Sequence, residues 1–334
     1  MIENAFRQSD TFNNSPLLTP ANTQRRQLAL VVEGGGMRSM FSAGVLDSFL
    51  VLHFDPFNLY LGVSAGCMNL ISHLADQYLR SYKVMMHSAK SGCLINGWKY
   101  LFGGHYIDLD WLGGACLEAH PLDTQKALKR IHNNGKQFLV VCTSFTNGCA
   151  NYYNPNNDNV HNIIMGSCSI PLLYRNPVYI AGEQVVDGGI SDPIPVIKAV
   201  QLGATDIIVI RTRKSDYRES ESSLEKKIGC FVYKNNPELK QAIENIHHTY
   251  NRSIDFIENP PDGINIYQIA PNVSLNANLV TTDPNLLEAD YQLGRRLGDL
   301  FVQNWHRCSQ QIPNADNGLP GLHLNANGLK NRFA

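Results

Sequence analysis

Residues 28–39 read LALVVEGGGMRS and residues 57–66 read FNLYLGVSAG. Each is a short, β-rich run that breaks on glycine and then passes into an amphipathic stretch. After the first break, Phe41, Val45 and Phe49 recur at helical spacing within residues 37–52. After the second, Cys67, Ile71, Leu74 and Tyr78 carry the apolar face of a helix. Strand, glycine turn and helix thus occur twice in succession. That unit joins parallel strands, because each helix carries the chain back to the start of the next strand.

Working outward, strands are expected at 137–144, 151–154, 184–187, 206–213 and 264–270. Helices are expected at 159–167, 193–202 and 237–257. The alternation predicts an α/β fold of three layers, α/β/α, with a mainly parallel central sheet. Residues 92–120 break the pattern. Gly103-Gly104 and Gly113-Gly114 bracket Tyr106, Leu109 and Trp111, which reads as an irregular insertion. Residues 1–27 are polar and weakly periodic, a flexible tail, and residues 309–334 turn to Asn, Gly and Pro, a second tail.

Composition narrows the function. With 43% hydrophobic and 17% charged residues, the chain can bury a core, which excludes wholesale disorder. A formal net charge of -1 gives no field to hold a nucleic acid. No apolar run approaches the roughly 20 residues needed to span a bilayer. The first residues lack the apolar core of a signal peptide. The eight cysteines are scattered without CxxC spacing, so they read as buried free thiols in a reducing compartment.

Three motifs carry chemistry. Gly62-Val63-Ser64-Ala65-Gly66 is G-x-S-x-G between strand and helix, the context of a nucleophile elbow. Ser64 would stand at a helix N-terminus, where the dipole favours developing negative charge. The bland alternative is a glycine turn with an incidental serine. Gly34-Gly35-Gly36 supplies consecutive backbone N–H groups that can converge on an oxyanion, since no side chains intervene. Its rival, a dinucleotide fingerprint, lacks the third glycine, and Asp55 precedes the second strand instead of closing it. Asp187-Gly188-Gly189 could be a plain hairpin turn. Beside it, Asp192-Pro193 reads as an N-cap with proline at the first helical position, which gives Asp192 a structural task that Asp187 lacks. A conventional triad would need His247, His248, His306 or His323, and none has a recognisable context.

The ordered set EGGGMRS, GVSAG, SIPLLYRNP and VVDGGISDPIP resembles the patatin-like phospholipase family, in its bacterial branch. The resemblance runs over residues 28–270 and implies a catalytic domain there, with 271–308 as a helical extension packing on it. It implies a serine–aspartate dyad without metal or cofactor. By position the nucleophile falls on Ser64, the base on Asp187 and the oxyanion glycines on Gly34, Gly35 and Gly36, while Arg38 matches a basic residue that could bind an anion. Ser39 departs from the family's usual glycine.

The expectation is therefore a serine acyl hydrolase acting on phospholipids, lysophospholipids or related lipids at a membrane or micelle surface. It would be cytoplasmic, with export by a signal-independent route left open. The alternatives are a catalytically silent lipid-binding protein on this fold and a Ser-His-Asp esterase.

Overall fold

The structure is a computed structural model that describes residues 27–133, 135–221, 233–311, 322–324 and 330–331. Residues 1–26, expected to be a tail, lie outside the described residues. The strands are β1 (Leu28–Val32), β2 (Leu59–Val63), β3 (Gln137–Ser144), β4 (Ala150–Tyr153) and β5 (Val178–Ile180). They continue with β6 (Glu183–Asp187), β7 (Asp206–Ile210), β8 (Asn265–Ile269), β9 (Leu322–Leu324) and β10 (Lys330–Asn331). The principal helices begin with α1 (Met40–Val51), α2 (Ala65–Leu74), α3 (Arg80–Ser91), α4 (Thr124–Asn133) and α5 (Val160–Cys168). After them come α6 (Val196–Gln201), α7 (Pro237–Glu244), α8 (Ile246–Glu258) and α9 (Pro284–Gln311).

All these strands join one sheet, ordered β10-β9-β8-β7-β1-β2-β3-β6-β5, with β4 paired to β3 off this path. From β9 through β3 the neighbours are parallel, while β6, β5, β4 and β10 pair antiparallel. Val32 sits opposite Gly62 in the β1–β2 register. Both glycine turns therefore leave the same edge of the sheet at the same level, which is the geometry on which the site depends.

Alternation along the strands produces the three layers. Leu28, Leu30 and Val32 face one way with Tyr60, into the core shared with α1, α2 and α9. Ala29 and Val31 face the other way with Leu59 and Leu61, against α6 and α8. The C-terminal α9 lies so close to α1 that a Cβ on Gly294 would collide with the Phe41 carbonyl oxygen.

Several expectations need correction. The helix expected from residue 193 starts at Val196. Asp192 and Ile194 each precede a proline, and that position disfavours helical backbone. Asp192 is thus no N-cap; it accepts a hydrogen bond from Tyr152 Oη at 2.6 Å. The helix expected over 237–257 breaks at Asn245 into α7 and α8. The second glycine-turn helix ends at Leu74, leaving Tyr78 exposed beneath the Arg295 guanidinium. Strand β7 stops at Ile210 because Arg211 turns into the protein, where it meets Gln268 and Tyr250. Part of the expected tail, 322–324 and 330–331, instead extends the sheet beyond β8. Insertion 92–120 forms short helical segments at Gly97–Leu101, Leu109–Trp111, Leu112–Cys116 and Leu117–Ala119, with one bridge between Ile95 and Ile107.

Candidate active site

Ser64 follows β2 directly and stands at the N-cap of α2 with φ 52° and ψ −131°. A non-glycine residue there is strained, and the surroundings must hold it in place. Gly62 and Gly66 make the turn sterically feasible. A Cβ on Gly62 would come within 2.7 Å of Cys67 Cα, and one on Gly66 within 2.6 Å of Val32 O. The Ser64 N–H donates to Ser167 Oγ at 2.8 Å, and Ser167 in turn donates to Val141 O at 2.6 Å. Ser167, on α5, is a supporting residue that sequence reading did not single out.

The glycine loop lies directly beside Ser64: a Cβ on Gly34 would stand 3.0 Å from Ser64 Cβ. Buried Glu33 anchors the loop, accepting from Thr212 N–H at 2.6 Å and from Tyr250 Oη at 3.0 Å. Thr212 Oγ1 donates to Gly34 O at 2.7 Å. Gly36 has φ 55°, and a side chain there would strike the Leu279 carbonyl, which accepts the Met37 N–H at 3.1 Å. Among the described residues, the N–H groups of Gly35 and Gly36 make no hydrogen bond. Glu33, Thr212 and Leu279 come from three separate parts of the chain, and no local motif marks Thr212 or Leu279.

Asp187 ends β6, paired opposite Cys142. Its Oδ1 accepts the Gly189 N–H at 2.7 Å, starting a turn over Gly188–Ile190. The structural task expected for Asp192 thus belongs in part to Asp187. Asp187 Oδ2 is buried and has no hydrogen-bond partner among the described residues. Burial pushes the carboxyl up to about 6, while the Ser64 hydroxyl and the Gly189 N–H pull it down. Ser64 is therefore close enough to act on Asp187, although no closed hydrogen bond joins them. The Cys67 thiol and burial push Cys168 well up, with Ser64 pulling the other way, so a thiol pair packs beside the serine. Seven cysteines are free, and Cys230 lies outside the described residues.

Ser64 opens onto a narrow, mainly apolar cavity of about 80 Å³. Met37, Met68, Cys168, Ile170 and Leu279 line it near the serine. Val84 and Met85 of α3 continue the wall, with Leu94, Ile107, Leu109 and Leu112 from the insertion. The same insertion turns Trp98, Leu101 and Phe102 outward, at 75%, 73% and 85% exposure.

Arg38 does not line this cavity. Burial and Arg213 lower its pKa, while Glu33, Tyr250 and Tyr217 act to raise it. Nor do His247, His248 or His306 line the cavity. His306 packs on Phe54. The His247 and His248 rings lie 3.9 Å apart, and with Glu221 their ligand atoms fall within 4.8 Å, the one such group among the described residues. The side chain of His323 lies outside the described ones. Asp55, the acid weighed for a nucleotide ribose, is held by Arg130 at 2.6 Å and Lys136 at 2.7 Å.

The family described as patatin-like phospholipase matches residues 30–200, and a domain of unknown function (DUF6363) matches residues 236–310. The chain is similar to the uncharacterized protein YjjU of Escherichia coli K12, 34% identical over 87% of this chain and 82% of that protein. VipD of Legionella pneumophila aligns over 84% of this chain and 67% of its own, at 13% identity and a TM-score of 0.43. With about half its length matched by that family, the chain belongs to the patatin-like phospholipase family, a membership that supports lipid hydrolase chemistry in general.

Proposed function

We propose that the protein is a serine acyl hydrolase that cleaves acyl esters of phospholipids, lysophospholipids or related lipids with Ser64 and Asp187 alone. One observation carries the reading: a buried carboxylate oxygen of Asp187 without a hydrogen-bond partner among the described residues, next to a strained serine that opens onto an apolar cavity. Ser64 Oγ attacks the ester carbonyl as its proton passes to Asp187 Oδ2. A carboxylate near pKa 6 is a better base than an ordinary one and is still ionised at neutral pH. Loose contact between such partners is common without substrate and tightens in the complex. The carbonyl oxygen, now negative, takes the N–H groups of the Gly34–Gly36 loop, aided by the α2 N-terminus. The alcohol leaves with the proton from Asp187, and water then releases the acyl group by the same route.

The acyl chain occupies the cavity, and the outward Trp98, Leu101 and Phe102 place the insertion on a lipid surface. Such exposed apolar clusters mark interaction sites. Residues 28–270 carry the chemistry, and 271–308 brace α1 through α9. Arg38, off the cavity wall and within the field of Glu33, supports the glycine loop in this reading instead of binding phosphate. We place the enzyme in the cytoplasm, in peripheral contact with membrane.

A panel of lipids with products identified by mass, run beside Ser64→Ala and a fluorophosphonate probe, tests the reading. Ser64→Ala should lose labelling and at least about a thousandfold in turnover. Residual turnover within about tenfold of the parent would place the nucleophile elsewhere. A parent protein inert to both lipids and probe would favour the silent lipid-binding alternative.

A further inference from the structure

Away from the Ser64 cavity, His247 and His248 in the first turn of α8 stand with Glu221, and none of the three lines that cavity. His247 is 9% exposed, and its Nδ1 lies 3.0 Å from the Glu244 carbonyl oxygen. A carbonyl only accepts, so Nδ1 carries the proton and Nε2 of the neutral ring presents a lone pair. That Nε2 is buried without a hydrogen-bond partner among the described residues. Facing it at 3.7 Å is Glu221 Oε1, which is also an acceptor. Two lone pairs thus oppose each other across a gap too wide for a hydrogen bond. A tetrahedral metal ion with bonds of about 2.0–2.1 Å separates its ligand atoms by roughly 3.4 Å, close to this gap. The alternative occupant is a proton on Nε2, which makes the contact a loose ion pair.

Glu221 is brought there by its backbone, although its side chain is 81% exposed. Arg218 pairs with Asp255 at 2.8 Å and with Glu258 at 2.6 Å. The Glu219 N–H donates to Asn251 Oδ1 at 2.8 Å, and Asn251 Nδ2 donates to Glu219 O at 2.9 Å. Asp255, Asn251 and His247 are four residues apart and share one face of α8. Residues 218–221 therefore climb that face toward its N-terminus, and Glu221 arrives at His247. His248 is exposed, its ring 3.9 Å from that of His247, and the ligand atoms of all three residues lie within 4.8 Å of one another. Rotation of the two exposed side chains closes the remaining distance.

We propose that Glu221, His247 and His248 bind a divalent transition-metal ion of the zinc class, which clips residues 218–221 to α8. Two imidazoles and one carboxylate suit zinc, whereas magnesium and calcium favour sets of oxygen donors. The Glu244 carbonyl fixes the His247 ring through Nδ1, as such a partner does for imidazoles that ligate through Nε2. The site is separate from the ester chemistry and does not depend on the acyl-hydrolase reading.

The test is zinc binding by the full chain, stripped with a chelator and titrated against a chromogenic zinc indicator, with magnesium as the control ion. The parent protein should bind zinc in the micromolar range or tighter and show no binding of magnesium at the same concentrations. Glu221→Gln and His248→Gln alter exposed side chains and should keep the parent's circular dichroism. Each should weaken zinc binding by at least about tenfold, since even a partner standing behind a ligand is worth that much. Cys149 is exposed and Cys93 and Cys308 are half-buried, so cobalt(II) is bound in parallel to tell thiolate from imidazole. Nitrogen and oxygen donors give visible d–d bands without strong thiolate charge transfer. Equal zinc affinity in the parent and both variants overturns the proposal, and so does a cobalt spectrum dominated by thiolate. A parent protein that binds no zinc also overturns it and leaves the gap to a proton.

Discussion

Replacing Asp187 by asparagine should remove activity and yet stabilise the protein above pH 6. Burial holds the Asp187 carboxyl at about 6, against an ordinary 3.8. Between these values the folded protein keeps a proton that the unfolded chain has released. Stability therefore falls as pH rises through that window, and the full cost is present above pH 6. About two pH units at 1.36 kcal/mol each come to roughly 3 kcal/mol. Asparagine is nearly isosteric, carries no charge and keeps an oxygen for the Gly189 N–H now at 2.7 Å. The bond to the charged carboxylate is already counted in the pKa of about 6, so the net gain at pH 8 is roughly 3 kcal/mol. The assay is urea denaturation of parent and variant, followed by circular dichroism near pH 4 and at pH 8. The gain should appear at pH 8 and vanish near pH 4, where the folded parent is already protonated. A stability difference equal at the two pH values would refute the buried-charge argument, since a packing effect carries no such pH dependence.

Three further outcomes follow from the same geometry. The kcat/KM profile on a soluble ester should lose activity as pH falls through about 6, because protonated Asp187 cannot accept the Ser64 proton; an acidic limb near 4 would refute the shift that burial imposes on Asp187. Ser167→Ala removes the acceptor of the Ser64 N–H and should lower kcat by roughly 5- to 30-fold, about 1–2 kcal/mol, with the fold intact by circular dichroism. Arg38→Met should lose equally on phospholipids and on p-nitrophenyl esters, since Arg38 stands beside Glu33 and off the cavity wall; a loss confined to phospholipids would restore it as a phosphate reader.

The sheet was legible because its core strands are short, β-rich and bounded by glycine, and parallel strands buried on both faces read as continuous apolar runs. Residues 28–32 and 206–210 are fully buried along their length, and the expected strands fall on them. Boundaries failed where one local rule overrode another. Asp192-Pro193 looks like a helix start until the second proline, Pro195, is weighed, and then the constraint on Ile194 delays the helix to Val196. Helices α3 and α4 escaped notice because their apolar faces are narrow: Val84, Met85 and Ala89 on one, Ala127, Leu128 and Ile131 on the other.

The site divides along the same line. Ser64, Asp187 and the triple glycine lie in short motifs whose spacing encodes a turn, and a turn is a local property of the chain. What gives those residues their character is nonlocal. Glu33 reaches Thr212 and Tyr250, roughly 180 and 220 positions away, and through Thr212 fixes Gly34. Ser167 holds the Ser64 backbone from 103 residues along the chain. The basicity of Asp187 comes from burial, which no motif records. Arg80, which lines the cavity, is the extreme case. Its neighbours in sequence, Leu79 and Ser81, say nothing of its burial, and on a helix a lone arginine normally faces water. Only the packing of α3 against α2 and the 120–121 turn withdraws it from solvent.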